Sequence, residues 1–247
     1  MNNSFSWPDG KRAALSLSFD DARPSQIERG LPIMDSHDVK ATFYVSLNNV
    51  EAQPQDWRHA IANGHEVGNH TLNHPCSGNF PWSQVNALED YTLERMEKEL
   101  IDANSIIAEM LGVTPTTFAY PCGQTFVGRG EQLHSYIPLV ARHFAAGRGF
   151  RAEISNDVVY CDLAHLNAVD MDCGSWDYLR DWIEKTVQTG GWLVLAGHNV
   201  GSDGYQTVTE ETLTALCEYC RHGDNGIWID TVAAVGSYLR DNRGTHL

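Results

Sequence analysis

Four stretches of the chain end in side chains that can move protons or hold a cation. Asp20-Asp21 follows an apolar run, His70 and His74 follow a second, Tyr120-Pro121-Cys122-Gly123 follows a third, and His198 follows a fourth. Two adjacent carboxylates and two imidazoles four residues apart supply an acid, a base and three candidate ligands. One carboxylate oxygen with two imidazole nitrogens suits Zn²⁺ or another borderline divalent ion and leaves coordination positions open, which is a catalytic stoichiometry and not a structural one. Neighbouring residues leaving a strand point in opposite directions, so Asp20 and Asp21 are expected to do different jobs. Plainer readings exist: an Asp pair can cap the next helix, and paired histidines are often ordinary core or surface residues. His70-Thr71-Leu72-Asn73-His74 lacks a Glu after its first His, so the helical zinc-protease pattern fails. His37, His59, His65, His134, His143, His165, His222 and His246 have no such context and read as structural or exposed.

Positioning those side chains requires a frame, and hydrophobic periodicity supplies one. Strands are expected at residues 13–19, 41–45, 66–69, 116–120, 143–146, 166–169, 192–196 and 227–229. Helices are expected at 24–36, 56–62, 83–111, 130–141, 176–188, 207–221 and 231–240, with Gly112 as one stop. Strands alternating with helices argue for a parallel sheet, open or closed into a barrel, and such folds place active sites at the C-terminal ends of their strands. The chemically capable residues sit just there.

The chain has 247 residues, 42% hydrophobic and 20% charged, enough to bury a sizeable core. No linker, repeat or low-complexity segment divides it, so residues 1–247 read as a single domain. Lys and Arg number 17 against 32 Asp and Glu, and the net charge of -15 disfavours nucleic acid and anionic membrane surfaces as partners. The most apolar segment, 192–196, is far shorter than the roughly 20 residues needed to span a bilayer. Met1–Gly10 shows no charged start followed by an apolar run, which leads to the expectation of a cytoplasmic protein, or a secreted one if a leader precedes this sequence. The six cysteines read as free thiols, Cys217 and Cys220 as buried thiols of one helix whose apolar face Leu213, Leu216 and Cys220 share. The oligomeric state stays open.

Taken together, these residues resemble the polysaccharide deacetylases of the NodB-homology type, also classed as family 4 carbohydrate esterases. Ser18-Phe19-Asp20-Asp21 is similar to the family's first motif, and His70-Thr71-Leu72-Asn73-His74 reproduces the second. Leu193 to His198 matches the fifth, allowing one extra residue, and Asp170 to Trp176 suggests the fourth. The third departs: Ala119 stands where an Arg is expected and Cys122 where a Tyr is expected. The Gly-Pro after the Asp pair becomes Ala22-Arg23-Pro24. The resemblance implies an α/β fold, a distorted (β/α) barrel of about seven parallel strands. It implies a divalent metal ion, Zn²⁺ as first expectation, on Asp21, His70 and His74, with Asp20 as base and His198 as acid. A backbone N–H at Cys122 would help bind an oxyanion, with Tyr120 and Trp176 positioning substrate; Trp82 or Trp176 could line a sugar cleft. Arg148, ahead of Arg23 and Arg151, is the expected substitute for the missing Arg.

The function so implied is removal of acetyl groups from an acetylated saccharide, N-acetyl in preference to O-acetyl. An allantoinase-like cyclic amidase that works without metal, and a non-catalytic carbohydrate-binding relative, are the alternatives.

Overall fold

The structure, a computed structural model, describes residues 5–244; His246 and the first four residues of the Met1–Gly10 stretch lie outside them. Its frame is a parallel sheet. In chain order the strands are β1 (Ala13–Asp20), β2 (Ala41–Val45), β3 (Glu66–Asn69), β4 (Thr117–Ala119), β5 (Ala146–Arg148), β6 (Val169–Asp170), β7 (Trp192–Gly197) and β8 (Ile227–Ile229). Seven of them run in the spatial order β5-β4-β3-β2-β1-β7-β6, and β8 joins the first half of β1. The sheet curls until its edges meet at one bridge, Arg148 to Leu166, where Gly149 N donates to Leu166 O at 2.8 Å and Leu166 N to Gly147 O at 2.7 Å. The result is a distorted (β/α) barrel.

Strand β1 is buried along its whole length, as a central parallel strand covered on both faces must be. Leu15, Leu17 and Phe19 pack beneath the helices with Met34, Ile183 and Leu213. The alternate positions Ala14, Ser16 and Ser18 are small, and the serines spend their hydroxyls internally: Ser18 Oγ donates to Leu195 O at 2.8 Å, and Ser16 Oγ accepts from Trp192 Nε1 at 3.1 Å. Period two then places Asp20 on the same face as Ser16 and Ser18. On β3, a Cβ at Gly68 would lie 2.4 Å from Tyr44 Cδ1, so only glycine admits that ring.

The helices are α1 (Leu31–Ser36), α2 (Leu47–Ala52), α3 (Pro54–Ala62), α4 (Leu93–Leu111), α5 (Ile137–His143), α6 (Trp176–Thr189), α7 (Glu210–Arg221) and α8 (Val232–Asn242). Four expectations shift. The helix predicted over 83–111 starts at Leu93, where Thr92 Oγ1 accepts from Arg95 N at 3.2 Å. Upstream, the Ser83 hydroxyl and the Glu89 carboxylate hold the segment 76–78, leaving only single turns at Pro81–Asn86 and Leu88–Asp90. The helix predicted over 130–141 is confined to α5 because Gly130 is left-handed and Pro138 sits in the first turn, as suits a helix start. Helix α5 then runs to His143, so the strand predicted at 143–146 begins only at Ala146. Likewise Thr207–Thr209 is a short strand beside Asn199–Gly201, and Thr209 caps α7. All six cysteines are unpaired. No helix among the described residues is long and apolar enough to cross a membrane.

Candidate active site

Beyond β1 the chain turns sharply. Asp21 and Ala22 are left-handed (φ +74° and +52°), and Asn49 Nδ2 donates to Asp21 O at 2.7 Å. Beyond β3 a second tight loop carries the histidines: Asn69 Oδ1 accepts from Thr71 N at 2.7 Å and Thr71 Oγ1 from His74 N at 2.9 Å. From α4, buried Glu99 accepts from Leu72 N at 3.1 Å and from Asn73 N at 2.9 Å, so the loop is fixed by a helix 26 residues downstream. These constraints gather Asp21, His70 and His74 so that one donor atom of each lies within 4.8 Å of the others.

Asp21 Oδ1 is 3.8 Å from His70 Nε2 and 3.6 Å from His74 Nε2. His70 Nδ1–H donates to Ala119 O at 2.9 Å, which turns the lone pair of Nε2 toward Asp21, the arrangement usual for a ligating imidazole. Burial pushes the Asp21 carboxyl up, but His70, His74, His198 and Arg23 together outweigh it and hold the group at about 2. Burial and the neighbouring His70 push His74 down to about 4. An anionic carboxylate at Asp21 and a neutral imidazole at His74 at neutral pH are protonation states a divalent ion requires, and with His70 Nε2 turned toward them the donor set fits one.

Asp20 stands beside this trio on a different partner. Arg148, fully buried at the end of β5, donates through Nη2 to Asp20 Oδ1 and through Nη1 to Gly149 O at 2.9 Å. Its guanidinium lies 5.0 Å from the centroid of the Tyr44 ring, the ring that Gly68 admits. Ala119 and Arg148 are register partners on neighbouring strands, so the arginine stands one strand sideways from the expected position. His198, after β7, has Nδ1 2.6 Å from Asp172 Oδ2, and its own N–H donates to Asp172 Oδ1 at 3.0 Å. Burial lowers the His198 pKa, but the Asp172 hydrogen bond and the charges of Asp20, Asp172 and Asp21 raise it above the usual histidine range.

Asp20, Asp21, His70, His74 and His198 line one cavity of about 450 Å³, shared with Cys122, Trp82 and Phe80. Two expected positions fall elsewhere. The Tyr120 ring is buried against Phe118 and Tyr136 and its hydroxyl donates to Ala164 O at 2.6 Å, because its strand alternation turns it into the core. Trp176 opens α6 and packs on Tyr219 with ring centroids 5.3 Å apart. Neither side chain lines the cavity, whereas Trp82, stacked on Phe80 at 5.3 Å, does. Arg23 also lines it, paired not with Asp20 but with Asp21. Gln206 and Glu99 carry no warning in the sequence beyond a Glu inside an apolar helical stripe, and Asp172, inside the stretch that suggests the fourth motif, carries none that ties it to His198. Among the described residues, five of the ten left-handed non-glycine residues, Asp21, His74, Cys122, Arg151 and Gln206, line this cavity.

Residues 8–129 match the family model described as polysaccharide deacetylase, a span that includes Asp20, Asp21, His70, His74 and Cys122. That stretch, 122 of the 247 residues, is similar to the polysaccharide deacetylases. Among curated relatives, YlxY of Bacillus subtilis is 35% identical over 97 residues, covering 39% of the chain and 27% of YlxY. The peptidoglycan-N-acetylglucosamine deacetylase PgdA of Listeria monocytogenes is 27% identical over 110 residues, covering 44% of the chain and 21% of PgdA. The matched stretches thus span about a quarter of these relatives or less. A solved structure from Mycobacterium smegmatis, described as a candidate polysaccharide deacetylase, superposes with a TM-score of 0.70 at 17% identity, over 97% of this chain and 94% of that one, and shares the fold.

Proposed function

We propose that the chain is a metal-dependent hydrolase that removes acetyl groups from a carbohydrate, N-acetyl in preference to O-acetyl. The observation that carries this reading is the convergence in one cavity of a ligand trio, a paired carboxylate and a carboxylate-oriented imidazole. The family, and the printed activity of PgdA, support the choice of an acetylated sugar.

Asp21, His70 and His74 would hold the ion, Zn²⁺ as first choice. When bound, such an ion polarises the acetyl carbonyl and lowers the pKa of water. Asp20, oriented by Arg148, takes the proton of the attacking water. As the water oxygen bonds to the acetyl carbon, the backbone N–H at Cys122 offers a donor to the developing oxyanion. His198 carries its Nδ1 proton toward Asp172, so Nε2 is the atom that delivers a proton to the leaving nitrogen or oxygen while the acyl bond breaks and acetate departs. Asp172 fixes the tautomer and stabilises the imidazolium, as a carboxylate partner does for catalytic histidines generally. The exposed faces of Trp82 and Phe80 give a sugar ring an apolar platform beside the trio. An allantoinase-like ring opener that dispenses with metal would have no use for three ligands this well oriented.

Acetate release from chitooligosaccharides, peptidoglycan fragments and acetylated xylan, before and after chelation, tests the proposal. Chelator-sensitive release from at least one substrate is expected. No release from any of them with Zn²⁺, Co²⁺ or Mn²⁺ restored would sink it.

A further inference from the structure

The two oxygens of Asp21 face different worlds. Oδ1 is the atom within 4 Å of both histidine Nε2 atoms, while Oδ2 accepts from Arg23 Nη2 at 3.0 Å and from Arg23 Nε at 3.3 Å. The guanidinium is itself held from its far side: Nη2 also donates to Gln206 Oε1 at 2.8 Å. Gln206 is left-handed (φ +51°) at the end of the loop that returns to the site, and its carbonyl accepts from Asn199 N at 2.8 Å. With Oε1 committed to Arg23, its amide nitrogen faces His198 Nε2 at 3.4 Å. Arg23 thus belongs to a chain of side chains, Asp21–Arg23–Gln206–His198–Asp172, that crosses the mouth of the cavity.

Charge counting gives this chain a consequence. Asp20 is neutralised by Arg148 and Asp21 by Arg23, so the four groups sum to zero net charge at the ligand trio. A cation entering beside Oδ1 meets a carboxylate whose charge is already half answered, and a fixed guanidinium on the other oxygen repels it. Fixing Oδ1 toward the histidines favours binding, but that ordering gain is smaller than the effect of a unit charge hydrogen-bonded to the other oxygen of the same carboxylate in a part-buried site.

We propose that Arg23, clamped by Gln206, is a positioning residue that aims Asp21 Oδ1 at the histidines while weakening the site's hold on its divalent ion. This inference rests on the proposed metal centre. A loosely held, poorly neutralised cation withdraws more charge from what it binds, which is the property hydrolysis uses.

Binding of Zn²⁺ alone to the chelator-stripped full chain, measured by competition with a chromophoric chelator, tests it. Arg23→Met, similar in length and uncharged, is expected to bind at least tenfold more tightly than the wild type. Arg23→Lys keeps the charge without the fork and should stay within threefold of the wild type. Gln206→Leu frees the clamp and should fall between the two. Equal or weaker binding by Arg23→Met, with an unchanged melting temperature to show that it folds, overturns the proposal. Failure of the wild type to bind Zn²⁺ would instead fail the metal-centre reading itself, and the inference with it.

Discussion

The two sides of the barrel mouth are built differently. On the β1–β3 side, strands of eight, five and four residues pair over continuous registers, and the groups they carry are fixed by their own backbone and by one helix. On the β4–β6 side the strands shrink to three, three and two residues, β3 meets β4 at a single pair, and the barrel closes at a single bridge. The first side carries Asp20, Asp21, His70 and His74 at the positions the sequence predicts, while on the second Ala119 stands where an arginine is expected and its register partner Arg148 pairs with Asp20. The proposed chemistry asks for a guanidinium beside Asp20, and the expectation is that a short-stranded edge supplies it from either of two neighbouring strands.

The comparison can be broken at its most demanding atom. Asp20→Asn should lower turnover by roughly 10²–10⁴-fold, the range of general acid-base catalysis, while Zn²⁺ stoichiometry stays that of the wild type. Rate and metal content measured on the same samples check it, and loss of metal would move Asp20 to the ligand side of the comparison. Arg148→Met comes next. Leaving Asp20 buried without its partner should cost roughly 3–5 kcal/mol of stability and most of the activity. Adding Ala119→Arg to Arg148→Ala is expected to return about tenfold of the lost rate, within the range one acid-base pair controls. A double variant no better than Arg148→Ala would show that the two strands are not interchangeable.

On the ligand side the sharpest handle is pH. His74 sits at about 4 in the fold against an ordinary 6.5, so the unfolded chain binds the extra proton between those values. Metal-free protein should therefore lose stability as pH falls from 6.5 to 4, on the order of 2 kcal/mol since water still reaches part of the ring. Asp21, depressed to about 2, stabilises above its ordinary 3.8, and that contribution disappears as pH falls through 2. Denaturant titrations with chelator present measure the slope, which His74→Ala should flatten between pH 6.5 and 4. The smallest effect lies at the rim. Trp82→Ala should raise KM several-fold with kcat near the wild-type value, whereas Trp176→Ala should alter the melting temperature and leave KM alone.

How much of this was legible in the sequence follows the same divide. Asp20, Asp21, His70, His74 and His198 stand at the ends of apolar strands, so period and position announce them. Arg148 was approachable because it too follows a strand. Gln206 was not, and Asp172 was visible only as part of the stretch 170–176 without its role, since each matters through a partner brought near by the loops after β6 and β7, and spacing along a chain says nothing of such proximity. The late start of α4 escaped for a related reason: residues 83–91 keep a helical apolar spacing, and the polar bonds from Ser83 and Glu89 that override it are long-range facts. Tyr120 and Trp176 show the converse, aromatic residues near a motif whose rings the packing turns away.

The left-handed residues around the cavity set a direction for drift. Each non-glycine residue held there costs roughly 1–2 kcal/mol that glycine would not. At Cys122 a change to glycine relieves that cost and loosens the segment that carries the backbone donor, and at Gln206 it relieves the same cost but removes the amide that holds Arg23. A lineage screened only for thermal tolerance would therefore shed its catalyst before its barrel, and activity and robustness in this protein must be selected together.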